Sequence, residues 1–228
     1  MDDLLVCHLG QIEYREATEL QERLRARRQR DEIGDVLLLL EHPPVYTRGR
    51  RTADGELPMG AAWYAAQGID VVDTPRGGRV TYHGPGQLVG YAIMRTEDIV
   101  GHVRAMERAI VTALREHGIE SRPRIEDGPD FTGVWVGERK IASIGVHASK
   151  GVTAHGFAVN VDNDLQPFEW VVPCGLHAQM TSITRELQTA PHLPCFRKRM
   201  GHAFTREHGR RQRLVALQRL LSREPSVA

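Results

Sequence analysis

Arg76-Gly77-Gly78-Arg79-Val80-Thr81-Tyr82-His83-Gly84-Pro85-Gly86-Gln87 is the most distinctive stretch of this chain. Its four glycines and two β-favouring residues predict a strand pair with tight turns. Glycines also let a ligand approach backbone N–H groups closely, as a phosphate, carboxylate or oxyanion requires, or they simply build turns. A doubly wound dinucleotide fold would need G-x-G-x-x-G between strand and helix, and that pattern is absent.

Outward toward the N-terminus, Leu4 to Ile12 reads as a strand and Glu13 to Arg30 as an exposed amphipathic helix carrying Leu20 and Leu24. Val36 to Leu40 is a short, fully apolar strand that Pro43-Pro44 ends. Residues 48 to 57 read as a basic loop, Pro58 to Gln67 as a short helix, and Ile69 to Val72 as a strand. Toward the C-terminus, Leu88 to Met94 continues as strand. Glu97 to His117 keeps helical spacing through Ile99, Val103, Met106, Ile110 and Leu114, and Gly118 stops it. Phe131 to Val136, Lys140 to His147 and Val152 to Val161 predict three antiparallel strands with turns at Gly137-Glu138 and Ser149-Lys150-Gly151. Beyond Thr181 the chain reads as helices, the last one Arg-rich. The expected fold class is α/β (α+β), a mixed sheet flanked by helices. We expect one domain over residues 1–228, with a core at about 4–200 and an Arg-rich helical tail at about 205–228.

Composition excludes several classes. A net charge of +1 supplies no global field for nucleic acid or membrane. No apolar run spans a bilayer, and Met1-Asp2-Asp3 lacks a basic n-region, so a cytoplasmic protein is expected. Three cysteines without a C-x-x-C pair argue against a disulfide framework and against a structural zinc site. Of the 30 basic residues, 27 are arginine; the lysines are Lys140, Lys150 and Lys198. A lysine can surrender its proton at usable pH and arginine cannot, so a lysine in a site is suggestive here.

Cys174 lies between Pro173 and Gly175, where a sharp turn would present its sulfur to a cleft. Read alone, a small buried thiol is the simpler reading. Cys195, at a helix start, is the rival nucleophile, because a helix N-terminus lowers a thiol pKa. Cys7 sits in an apolar strand as packing. A thiol nucleophile needs a neighbouring cation or base. Lys140, at the edge of an apolar strand, could have a lowered pKa, although a solvated lysine after a turn is the simpler reading. His83 and His155 compete for that role.

Four motifs in order carry a resemblance. Arg76 through Gln87 matches R-G-G-x-x-T-[aromatic]-H-G-P-G-Q, Lys140 through Gly145 matches K-[IV]-[AC]-[SA]-[IL]-G, His155 through Val161 matches H-G-[FL]-[AS]-[LV]-N-[VI], and Pro173 through Leu176 matches P-C-G-[IL]. Over roughly residues 4 to 200 the chain resembles the lipoyl(octanoyl) transferase family. The resemblance implies a fold like the catalytic domain of biotin and lipoate protein ligases. It implies Cys174 as the acyl-accepting nucleophile and Lys140 as its partner. It places Arg76, Gly77, Gly78, Arg79, Val80, Thr81, Tyr82 and His83 in the acyl-substrate pocket, with Ser143, Ile144, Gly145, Gly156, Phe157 and Ala158. His147 and Lys150 match no family-wide residue.

The implied reaction passes an octanoyl group from octanoyl-acyl carrier protein, through a Cys174 thioester, to a lysine of apo lipoyl domains. Such domains occur in E2 subunits of 2-oxoacid dehydrogenases and in the glycine cleavage H protein. Amide formation from a thioester is downhill, so neither ATP nor any cofactor or metal is expected. Arg48, Arg50 and Arg51 form the most concentrated basic loop before the glycine string and are expected to help an acidic carrier dock. The alternatives are an ATP-dependent lipoate-protein ligase and a non-catalytic binder of lipoyl domains or acyl chains on the same scaffold.

Overall fold

The computed structural model describes residues 2–172 and 178–222. The elements run β1 (Asp3–Gln11), α1 (Tyr14–Gln29), β2 (Asp35–Glu41), β3 (Val45–Arg48), α2 (Ala61–Ala66), β4 (Asp70–Asp73), β5 (Thr81–His83), β6 (Gln87–Ile93), α3 (Ile99–Arg115), β7 (Arg122–Pro123), β8 (Gly133–Val136), β9 (Arg139–Ser149), β10 (Val152–Asn160), α4 (Ile183–Leu187), α5 (Leu193–Glu207), β11 (Arg211–Leu214) and α6 (Leu217–Leu221).

Eight strands form one mixed sheet in the order β11-β1-β2-β6-β10-β9-β8-β7. β1 pairs parallel with both β2 and β11, and the other pairs are antiparallel. The apolar run of β2 is explained by burial on both faces. Leu37 and Leu39 pack toward α3 and α5, while Val36, Leu38 and Leu40 pack toward α1. A second sheet, β4-β3-β5, carries its own aromatic cluster of Tyr46, Tyr64 and Tyr82 with Val80 and Val171.

Three local expectations are corrected. The glycine string is not one strand pair: β5 joins the small sheet and β6 the large one. Gly86, at φ 84°, turns the chain between them, with its N–H donated to Glu41 at 2.8 Å and its carbonyl accepting from Asp162 at 3.0 Å. Pro43-Pro44 follow the end of β2 at Glu41 as expected, but Arg48, read as the start of a loop, instead closes a further strand, β3 (Val45–Arg48). The Arg-rich tail is not wholly helical either. α5 ends at Glu207, and Arg211–Leu214 adds a parallel edge strand beside β1. Asp3 holds it through Arg211 at 2.7 Å and Arg213 at 3.7 Å, a long-range pairing that helical periodicity cannot reveal. The β9–β10 hairpin turns at Lys150 and Gly151, both in the left-handed region, as the turn residues predict. No helix among the described residues is long and apolar enough to cross a membrane.

Candidate active site

A cavity of about 820 Å³ opens between the glycine-rich turn, the β9–β10 strands and the first turns of α3. Ile99 and Val103 belong to the apolar stripe of α3, but they lie beyond the core residues Met106, Ile110 and Leu114 and line this cavity instead. The helix thus spends its first turns as a wall. Asp98 caps it, accepting the Gly101 N–H at 2.7 Å.

The glycine-rich turn lies against β9. Gly77 donates its N–H to the Val146 carbonyl at 3.0 Å, and Arg50 and Arg51 donate theirs to the carbonyls of Arg76 and Gly78. A Cβ on Gly145 would stand 2.8 Å from the Gly77 carbonyl oxygen, so only glycine allows this approach. Arg76 through Thr81, His83, Ser143 through Gly145 and Gly156 through Ala158 all line the cavity. Tyr82 is the exception among the expected pocket residues. Its ring packs against Tyr46 and Phe168 in the small-sheet cluster, because alternate residues of β5 face opposite ways.

Lys140 lines the same cavity. Its N–H donates to the Gln179 carbonyl at 2.8 Å and its carbonyl accepts from Thr181 at 2.9 Å, so the chain emerging at residue 178 runs beside it. Its ammonium lies 5.3 Å from the Trp135 ring centroid. Desolvation is the largest influence and pushes Lys140 down from 10.5 to about 8; Asp130 and Glu107 oppose this, and Arg76 adds to it. Both acids are engaged elsewhere. Asp130 pairs with Arg51 at 2.9 Å, and Glu107 pairs with Arg104 at 2.6 Å while accepting the Gly133 N–H at 3.1 Å.

Cys174 lies outside the described residues. The described residues bounding its segment, Val172 and Ala178, both line the cavity, as do Val171, Gln179 and Met180. The rival thiols sit elsewhere. Cys195 is exposed in the first turn of α5, with its sulfur 3.2 Å from His192 Nδ1, and it is not part of the cavity wall. Cys7 is buried in β1, where desolvation pushes its thiol up to about 11.

The rival bases do reach the cavity but are poor acceptors of a proton near neutrality. His83 is pushed down to about 3, by burial first and then by His42 and Arg76. Its Nδ1 lies 2.6 Å from Gln87 Oε1, which can only accept, so Nδ1 carries the proton. Gln87 Nε2 passes the network to Asn160, and Asn160 Nδ2 to the Thr181 carbonyl. His155 is likewise pushed down to about 3, chiefly by burial and then by Arg76. It sits in β10 at φ 61°, with its N–H held by Gln21 Oε1 at 2.7 Å. Only Lys140 of the three titrates near the pH where a general base works best.

Trp135, Asp130 and Gly133 were not singled out from sequence. A Cβ on Gly133, at φ 134°, would meet the Ala142 carbonyl at 2.2 Å and Lys140 Cε at 2.9 Å, so this glycine makes room for the lysine. The basic loop is less available for docking than its sequence implies. Arg48 pairs with Asp73 at 2.7 Å and Arg51 with Asp130, which leaves Arg50 as the one of the three without an ion pair among the described residues.

The lipoyl protein ligase A/B catalytic domain family matches residues 13–205. An octanoyltransferase from Solibacter usitatus is 48% identical over 206 residues, covering 89% of this chain and 90% of that protein. Solved structures share the fold at low identity. A lipoate protein ligase from Thermoplasma acidophilum superposes with a TM-score of 0.75 at 18% identity, covering 96% of this chain and 91% of the other. The biotin protein ligase of Aquifex aeolicus gives 0.50 at 11%, covering 92% and 70%. By these matches the chain belongs to the lipoyl(octanoyl) transferase family, within the lipoyl protein ligase A/B catalytic domain family.

Proposed function

We propose that this protein transfers an octanoyl group from octanoyl-acyl carrier protein to a lysine of apo lipoyl domains, through a thioester on Cys174. The observation that carries the reading is Lys140: an amine held near a pKa of about 8 in the wall of a cavity, beside the chain that leads out of the Cys174 segment. The names of the relatives support octanoyl transfer.

In the first step the Cys174 thiolate attacks the donor carbonyl carbon. A carbon–sulfur bond forms to Cys174, the bond to the carrier sulfur breaks, and the leaving thiolate takes a proton from the Lys140 ammonium. Thioester exchange is nearly balanced, so the acyl-enzyme can accumulate. In the second step the neutral amine of the lipoyl-domain lysine attacks the thioester. Neutral Lys140 accepts the proton that the amine sheds, and Cys174 leaves as thiolate, which restores the starting state. Burial contributes roughly 0.8 kcal/mol per CH₂ of the acyl chain, so the apolar walls offered by Ile99, Val103, Ile144 and Phe157 suit an eight-carbon group.

The test is intact mass after mixing with octanoyl-carrier protein without ATP, beside Cys174→Ser. A hydroxylamine-labile gain of one octanoyl group, absent from the variant, is expected. Modification of a lipoyl domain only when ATP and free acid are supplied would refute the transferase reading in favour of a ligase.

A further inference from the structure

The cavity meets the packing beneath α3 and α5 at one side chain. Among the described residues, Phe157 is the single buried member of the larger core cluster that also lines the cavity. It is 2% exposed, so its ring closes the cavity on one side and lies in the core on the other. Ile144, its direct partner across the β9–β10 pair, lines the cavity beside it, and Ile99 and Val103 of α3 line it from the helix laid over this face. These four make an apolar part. The part toward α1 is polar instead, with Arg76, His83 and His155 in its wall. An alkyl chain gains most by running along the apolar part, and Phe157 stands where that part gives way to packed core.

The ring has no room to retreat. Phe157 and Gly90 are register partners, and the ring lies across β6 so closely that a Cβ on Gly90 would overlap Cζ and both Cε atoms. Behind it stands Phe204 of α5, fully buried, with ring centroids 5.9 Å apart. Phe204 is backed in turn by His208, stacked on it at 4.0 Å. The Phe204 carbonyl takes the Nδ1 proton of His208 at 2.9 Å, so in the neutral ring Nε2 is the acceptor for Nδ1–H of His102, at 3.1 Å. His102 belongs to α3, the helix whose first turns form the facing wall. Floor and facing wall are thus braced against each other, and an interior at native density gives way to neither.

We propose that Phe157, held by Gly90 and by the Phe204–His208–His102 buttress, is the stop that sets how long an acyl chain this protein accepts. This rests on the transferase reading above. A chain ending short of the ring leaves apolar wall uncovered, and one that is too long must displace the ring. Each methylene matched or mismatched to a hydrophobic pocket changes kcat/KM by roughly 10–200-fold, so one aromatic side chain is enough to separate eight carbons from ten.

The experiment measures kcat/KM for acyl-enzyme formation from hexanoyl-, octanoyl- and decanoyl-carrier protein in wild type, Phe157→Leu, Phe204→Leu and Gly90→Ala. Phe157→Leu shortens the stop, and the decanoyl-to-octanoyl ratio is expected to rise by about tenfold or more. Phe204→Leu should move the ratio the same way by less, although Phe204 does not line the cavity, because Phe157 can then sink toward the space it leaves. Gly90→Ala should act in the opposite sense. The methyl takes the ring's place on β6, Phe204 blocks the core side, and the ring is driven into the cavity, which raises the hexanoyl-to-octanoyl ratio by about tenfold or more. A purely structural role for Phe157 would lower Tm and total activity and leave these ratios alone. Should Phe157→Leu fail to fold, Phe157→Met, whose flexible side chain fills the core yet yields to a longer chain, is expected to show the same rise. Ratios unchanged from wild type in the folded Phe157 variant, with acyl-enzyme still forming, overturn this inference and leave the transferase reading standing. So does a shift toward longer chains in Gly90→Ala. No acyl-enzyme on wild type overturns both.

Discussion

Replacing Lys140 with arginine keeps a cation in the cavity and removes the one base of suitable strength among Lys140, His83 and His155. The size of the effect follows from its surroundings. At its ordinary value of 10.5, a lysine at pH 7 is neutral in roughly one molecule in 3,000; at about 8, the fraction is roughly a tenth. Burial therefore supplies about a 300-fold gain in free amine at neutral pH. Arginine forfeits all of it, because its proton does not leave. General-base assistance is worth typically 10²–10⁴-fold, so Lys140→Arg should slow transfer to the lipoyl lysine by about that factor. The assay loads the enzyme with one octanoyl group, adds apo lipoyl domain and measures the single-turnover rate between pH 6 and 10. Wild type should show an acid limb centred near 8, where the buried Lys140 loses its proton. A variant rate within threefold of wild type, or a wild-type limb centred near 10, would refute the reasoning.

Gly133→Ala should cut the same rate at least tenfold and also loosen the β8–β9 pairing, because the methyl meets a backbone carbonyl of β9. The added methyl collides with Lys140 Cε and the Ala142 carbonyl at a backbone angle that alanine avoids; a rate equal to wild type would show that the lysine is not held by this contact. Stability should fall on acidification before most carboxylates titrate. His42 and His102 are pushed down to about 4 and His83 and His155 to about 3, chiefly by burial, so between pH 6.5 and these values the unfolded chain binds protons that the native state refuses. Each group then costs on the order of 1 kcal/mol per pH unit below 6.5, and a Tm unchanged between pH 7 and 5 would contradict the burial.

Much of the architecture was legible because it is written in short-range patterns. The five-residue apolar run of β2, the stripe of α3 and the Lys150-Gly151 turn each follow from local sterics and periodicity. The motifs located the cavity wall for the same reason, since a close approach such as Gly77 on Gly145 tolerates no side chain and therefore leaves glycines in the sequence. Tyr82 was misjudged because a contiguous motif says nothing of which way each residue of a strand faces. β11 was missed because its partner is Asp3, some 200 positions away, and an Arg-rich stretch reads as helix until the parallel edge of β1 is available.

Sequence by itself determined the residue types that the proposed chemistry needs: a thiol between proline and glycine, one of only three lysines, and a glycine string able to admit a ligand. Tertiary structure alone decided which of them meet and in what electrostatic state. Lys140 is a strong base in water; it becomes a usable one because folding removes its solvent, sets Arg76, which has no ion pair among the described residues, in the same wall and ties up Asp130 and Glu107 in other ion pairs. Those influences come from residues 10 to 64 positions away along the chain, and a pKa is the sum of such fields, which no local pattern contains.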